Sequence, residues 1–70
     1  MKIEISTKYI TLGQFLKYAG FIGSGALAKQ YLLDNQIFVN GELETRRGRK
    51  LYPDYIVRID NSEYQIGKSI

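Results

Sequence analysis

Thr11-Leu12-Gly13-Gln14-Phe15-Leu16-Lys17-Tyr18-Ala19-Gly20 carries both ends of a helix and the apolar face between them. Thr11 and Gln14 have the T-x-x-Q spacing of a capping box, in which a threonine hydroxyl and a glutamine amide each satisfy a backbone N–H that the helix leaves unpaired. Ile10, just before the cap, is placed to staple onto Phe15. Leu12, Phe15, Leu16 and Ala19 recur at i, i+3, i+4 and i+7, which makes one apolar stripe. Gly20 stands where a left-handed C-terminal cap belongs. Gln14, Lys17 and Tyr18 fall off the stripe and face away from the core.

Before this helix, Lys2-Ile3-Glu4-Ile5 alternates with period two and reads as a short strand with Ile3 and Ile5 inward. After it, Phe21-Ile22-Gly23 is a connector, and Ser24 is placed to cap a second helix running through Ala26, Leu27, Ala28, Tyr31 and Leu32 to Asn35. Lys29 and Gln30 lie off the core face of that helix. Two helices joined by a short glycine-containing turn form a helix-turn-helix-like pair, a shape that also serves as pure scaffolding. Ile37-Phe38-Val39, Asn40-Gly41 and Glu42-Leu43-Glu44 then give a hairpin, since Asn-Gly tolerates the positive backbone angles of a type I′ turn. Tyr52-Pro53-Asp54 reads as a turn, Tyr55 to Asp60 as a strand with Tyr55, Val57 and Ile59 on one face, and Glu63 to Ile66 as a last strand after the Asn61-Ser62 turn. The order is strand, helix pair, then three or four strands, without a repeat or a linker. The expected class is α+β in a single domain spanning 1–70.

A chain of 70 residues buries only about 60% of its unfolded surface, enough for one thin core and too little for a deep cleft between lobes. Most enzyme architectures are thereby excluded. The sequence contains no cysteine and no histidine, which removes disulfides, thiolate chemistry, the usual proton shuttle and the commonest metal ligands. No cofactor is expected. No apolar run approaches the roughly 18 residues of a membrane span, so a soluble cytoplasmic protein with no membrane partner is the expectation.

The net charge is +3, yet Arg46-Arg47-Gly48-Arg49-Lys50 alone carries +4 and leaves the other 65 residues at −1. One basic patch is the electrostatic footprint of a surface for a polyanion such as nucleic acid; a solvated loop or another anionic partner fits the charge count as well. Arginine outnumbers lysine three to one in the patch, and guanidinium forks bind phosphate bidentately, which favours phosphate recognition over solubility alone. Gly48 lets the chain bend to present these side chains together. Tyr52, close by, is placed either to stack on an unpaired base or to pack in the core.

Two other motifs carry less. Gly20-Phe21-Ile22-Gly23-Ser24-Gly25 matches neither of the glycine-rich phosphate loops and lacks the βαβ unit they require; at most, the amides of Ser24 to Ala26 and the Ser24 hydroxyl hold one backbone phosphate. Glu42 and Glu44 fall on one face of a strand, and alternating glutamates beside a hairpin turn read as a solvated face, not as an acid/base pair.

The T-L-G-Q-F-L-K opening (Thr11 to Lys17), the F-V-N-G turn (Phe38 to Gly41) and the run E-T-R-R-G-R-K-L-Y-P (Glu44 to Pro53) together resemble the small stand-alone S4-like RNA-binding proteins of the bacterial YaaA/YbcJ group. The likeness runs from about Ile10 to Ile66. It implies the αL fold, two helices packed on a small, mostly antiparallel sheet, with a face of helices and adjacent loop that binds structured RNA. Carried onto this chain, that face comprises Gln14 and Lys17, Ser24 and Lys29, Asn40, and Arg46, Arg47, Arg49 and Lys50. Gly25 stands where many such domains have arginine, which implies a weaker helix-end phosphate contact. Pro53-Asp54-Tyr55 replaces a Pro-Gly-Asp turn, and a type I turn, which does not require glycine, is expected there.

The expected function is a non-catalytic RNA-binding module for structured RNA, with ribosomal RNA or the ribosome as the target the resemblance implies. The rival is a protein-interaction adaptor whose arginines pair with an acidic partner. Duplex DNA is a weaker option, with only Lys29 and Gln30 on the second helix to read a major groove.

Overall fold

The capping box forms as its spacing requires: Gln14 N–H donates to Thr11 Oγ1 at 3.2 Å and Thr11 N–H to Gln14 Oε1 at 2.8 Å. The helix it opens, α1, spans Leu12–Tyr18 in a computed structural model that describes residues 1–69; Ile70, the last residue of the expected unit, lies outside them. Gly20 takes φ +87° and ends α1 in a Schellman arrangement, with Phe21 N–H donating to Leu16 O and Gly20 N–H to Lys17 O. Leu12, Phe15 and Leu16 are fully buried.

The remaining elements are β1 (Lys2–Ile5), β2 (Ile10–Thr11), α2 (Ala28–Asp34), β3 (Ile37–Val39), β4 (Glu42–Glu44), β5 (Lys50–Leu51), β6 (Ile56–Ile59) and β7 (Ser62–Lys68). Five strands form one sheet in the order β1-β7-β6-β3-β4, and β2 pairs with β5 in a separate two-stranded ribbon. All neighbours in the large sheet are antiparallel except β1 and β7. The fold is therefore α+β, two helices on a mostly antiparallel sheet. One sheet face, with Ile37, Val39, Val57, Ile59 and Ile66, packs under the helices against Phe15, Leu16, Ala28 and Leu32 to form the core. Val39 faces Glu42 across the Asn40-Gly41 turn, where both residues have positive φ, +52° and +85°, as a type I′ hairpin needs. Asn35 closes α2, its side-chain amide donating to Tyr31 O at 3.0 Å.

Three expectations are corrected. The second helix begins at Ala28, preceded by a 3₁₀ turn over Gly25–Leu27; the tighter turn puts Ala26 and Leu27 out of phase with the inward face of α2, and both are exposed. Ser24 starts that turn but makes no side-chain capping bond. The Tyr52–Tyr55 turn, closed by Tyr55 N–H to Tyr52 O, has Asp54 at φ +77°. Positive φ at the third position is the mark of a type II turn, not type I; an aspartate tolerates it, and Asp54 N–H is fixed by Ile66 O.

Gly20→Ala places a Cβ in the left-handed region, where nothing lies within 4 Å to clash, so the cost is conformational alone. Urea unfolding is expected to show a loss of about 1 kcal/mol, with an unchanged far-UV spectrum before the transition.

Candidate nucleic-acid interface

The basic segment leaves β4 at Glu44 and re-enters the fold at β5, and its backbone is tied down on both sides. Arg49 N–H donates to Arg46 O, which closes a turn over Arg46 to Arg49. Its carbonyls then take up the first amides of α1: Leu12 N–H donates to Arg49 O at 2.8 Å and Gly13 N–H to Arg47 O at 2.9 Å. A helix start leaves such donors without intrahelical partners; here the loop and the Thr11 cap satisfy the first three. Gly13 is buried where α1, α2 and the loop converge, since a Cβ there would sit 3.4 Å from Arg47 O and 3.5 Å from Ala28 Cβ. Pairing of Ile10 with Leu51 and Thr11 with Lys50 fastens the far end of the segment.

Glu44 holds the other side, and it corrects the reading of Glu42 and Glu44 as a solvated face. Glu42 is exposed, but Glu44 is only 5% exposed. Both side chains point toward the helix side of the edge strand, and at Glu44 the basic segment folds over the carboxylate. Its Oε2 accepts from the backbone N–H groups of Thr45 and Arg46 and from Arg46 Nε, each at 3.0 Å; its Oε1 accepts from Arg46 Nη2 at 3.2 Å and Arg49 Nη1 at 2.8 Å. Five donors on one carboxylate leave no buried polar side-chain atom unsatisfied among the described residues. The signal missed in the sequence was the offset from Glu44 to Arg46 and Arg49, which a charge count treats as independent surface ions.

The charges are thereby sorted. Arg46 and Arg49 pair with Glu44, yet the Arg46 side chain remains 75% exposed and Arg49 24% exposed. Arg47 and Lys50 make no ion pair among the described residues and are exposed. Lys50 Nζ lies 5.1 Å from the centre of the Tyr9 ring, within cation–π range. Arg46, Gly48, Arg49, Lys50, Tyr52 and Tyr55 line one shallow groove. Tyr52 is half-buried, with its ring 5.5 Å from Tyr9 and 5.7 Å from Tyr55.

The other expected residues are spread more widely. Gln14 and Lys17 line a hollow with Ile5, Ser6, Thr7 and Tyr18, and the Gln14 side-chain oxygen is committed to the cap. Lys29 is exposed on α2, next to Ala28 at the Gly13 junction. Ser24 is exposed in the connector. Asn40 stands at the opposite end of β4 from Arg46, and its Oδ1 accepts from Ile56 N–H at 2.9 Å, which pins the hairpin to β6.

A fold of this topology with a basic loop folded across the start of its first helix defines a class, and comparison with known proteins agrees. The S4 domain family matches residues 3–67, and the chain belongs to that family. It is also similar to a protein named probable ribosome maturation protein RlbA from Bacillus subtilis (strain 168), at 52% identity over 58 residues, 83% of this chain and 82% of that one.

The Arg46 guanidinium, ahead of every other influence, holds the Glu44 carboxyl at about 2, below its ordinary 4.5, against an opposing effect of burial. A carboxyl lowered on folding stabilises the native state above its unfolded pKa and loses that contribution as pH falls toward its folded one. Glu44→Gln is expected to be less stable than the parent by roughly 1–3 kcal/mol at pH 7. The gap should close between pH 4.5 and about 2, read by denaturant unfolding of both proteins at a series of pH values.

Proposed function

We propose that this protein binds structured RNA without catalysis, through the basic loop and the neighbouring helix surface, and that it does so in ribosome maturation in the cytoplasm. The observation that carries the reading is a fixed arrangement of arginines: their loop is anchored to α1 through Leu12 and Gly13 and to β4 through Glu44. Pre-set guanidiniums suit phosphates of fixed spacing, as in folded RNA, and lose less freedom on binding than arginines on a loose tail. Membership of the S4 domain family supports RNA as the polyanion, and the name of the Bacillus subtilis relative supports the ribosome as its setting. Arg46, Arg47, Arg49 and Lys50 are the principal phosphate contacts, with Lys29 beside them and Gln14, Lys17, Ser24 and Asn40 at the margin of the surface. Among the described residues no group of acidic side chains is placed to hold a metal ion, and no helix is long and apolar enough to cross a membrane.

The test is binding to a structured ribosomal RNA fragment, an unstructured single strand and duplex DNA over a salt series, alongside a variant with Arg46, Arg47, Arg49 and Lys50 changed to alanine. Folded RNA is expected to bind most tightly, and the variant to lose about 0.7 to 0.9 units of log–log salt slope per phosphate contact removed. Equal weak binding to all three ligands would mark the patch as a generic polyanion surface and turn attention to an acidic protein partner.

A further inference from the structure

The groove beside the basic loop has a composition that phosphate binding does not explain. Its lining consists of three cations, Arg46, Arg49 and Lys50, two tyrosines, Tyr52 and Tyr55, and Gly48. Among the described residues no carboxylate lines it; the nearby acid, Glu44, is sealed beneath the loop. Tyr9 extends the aromatic row, with ring centres 5.5 Å apart from Tyr9 to Tyr52 and 5.7 Å from Tyr52 to Tyr55. These rings are half-buried while the aliphatic neighbours Leu51 and Val57 are fully buried, so the tyrosines keep part of their surface in solvent at the point where the cations converge. Cations stand against both ends of the row, Lys50 over Tyr9 at 5.1 Å and Arg49 near Tyr55 at 5.9 Å. At Gly48 no atom of the described residues lies within 4 Å of where a side chain would project, leaving the rim open to a ligand.

A helical RNA backbone would use the cations and leave the aromatic row idle, because stacked, paired bases offer no free face. An unpaired nucleotide uses both: its phosphate meets the guanidinium and ammonium groups, and its base has a π-face for tyrosine. We infer that this groove receives a single unpaired nucleotide of the bound RNA, with its phosphate held between Arg46 and Lys50 and its base stacked on Tyr52. The inference rests on the RNA-binding reading and narrows it to RNA with an extruded or bulged base beside a helix. A free mononucleotide presents the same chemistry, so the test includes one.

Two hairpin RNAs, alike except that one carries a single bulged 2-aminopurine, and adenosine monophosphate are titrated with the wild type, Tyr52→Phe and Tyr52→Leu. The wild type is expected to bind the bulged hairpin roughly 5- to 150-fold more tightly than the paired one, the range that stacking of one base provides, and to quench 2-aminopurine fluorescence on binding. Tyr52→Phe keeps both effects; Tyr52→Leu loses both while still binding the paired hairpin. Quenching and bulge preference in the wild type are read without any variant, so a folding defect in Tyr52→Leu still leaves their absence able to overturn the inference. Equal affinity for the two hairpins with no quenching overturns the inference and leaves the RNA-binding reading intact, as does a preference that survives in Tyr52→Leu. Failure to bind either hairpin overturns both. Saturation by the mononucleotide at concentrations where the bulged hairpin gains no advantage would assign the groove to a free nucleotide and overturn its role in RNA.

Discussion

One buried carboxylate organises the basic side of this molecule. Glu44 sits on the edge strand β4, facing the helix layer, and an ionised carboxylate in that position is costly unless its oxygens are satisfied. The five hydrogen bonds it receives come from the segment that immediately follows it. The cost of burial and the shape of the loop are thus the same fact: the segment must fold back over Glu44, and in doing so it fixes Arg46 and Arg49. The loop's other side is fixed by a second unmet demand, the free amides at the start of α1, which take the carbonyls of Arg47 and Arg49. A stretch that would otherwise be a charged surface loop becomes a rigid piece of the fold.

What the sequence made legible were the features governed by local rules. The capping box at Thr11 and Gln14, the Schellman end at Gly20 and the type I′ turn at Asn40-Gly41 depend on residues within a few positions of one another, and each formed as its residue types demand. The inward faces of β1 and β6 followed from period-two alternation, whereas the two-residue strands β2 and β5 are too short to show any. Misreadings arose where a short segment takes a shape that no periodicity announces, or where a distant strand decides. Glu44 looked like half of a solvated pair because strand alternation says nothing of the next five residues folding back to cover it. Asp54 adopts positive φ because Ile66, on a strand distant in sequence, captures its amide. Leu27 entered the expected helix stripe but is 52% exposed, since one tight 3₁₀ turn shifted the phase.

The candidate surface divides along the same line. Its basic cluster was evident as a run of charge, and the structure groups Arg46, Arg49 and Lys50 on one groove. The company they keep was not evident. Tyr9 comes from the segment ahead of α1 and meets Tyr52 because β2 pairs with β5, while Tyr55, just ahead of β6, meets it through the Tyr52–Tyr55 turn. Asn40 and Gln14, polar and exposed as a contact residue should be, each have a side-chain oxygen already employed in holding a turn or a helix end.

Geometry and charge make opposite forecasts at one position. Neutralising Glu44 leaves the patch more positive, so an electrostatic surface indifferent to shape should bind RNA more tightly; a surface that depends on arginines held in place should bind less tightly. The most direct measurement compares the affinity of wild type, Glu44→Gln and Glu42→Gln for one structured RNA at fixed salt and neutral pH, with circular dichroism confirming that each is folded. Glu42 is exposed and makes the same change in charge without touching the loop. Weaker binding by Glu44→Gln, with Glu42→Gln equal to or tighter than wild type, is the result expected if the buried carboxylate sets the arginines. Tighter binding by Glu44→Gln, matching that of Glu42→Gln, would contradict it and reduce the site to its net charge.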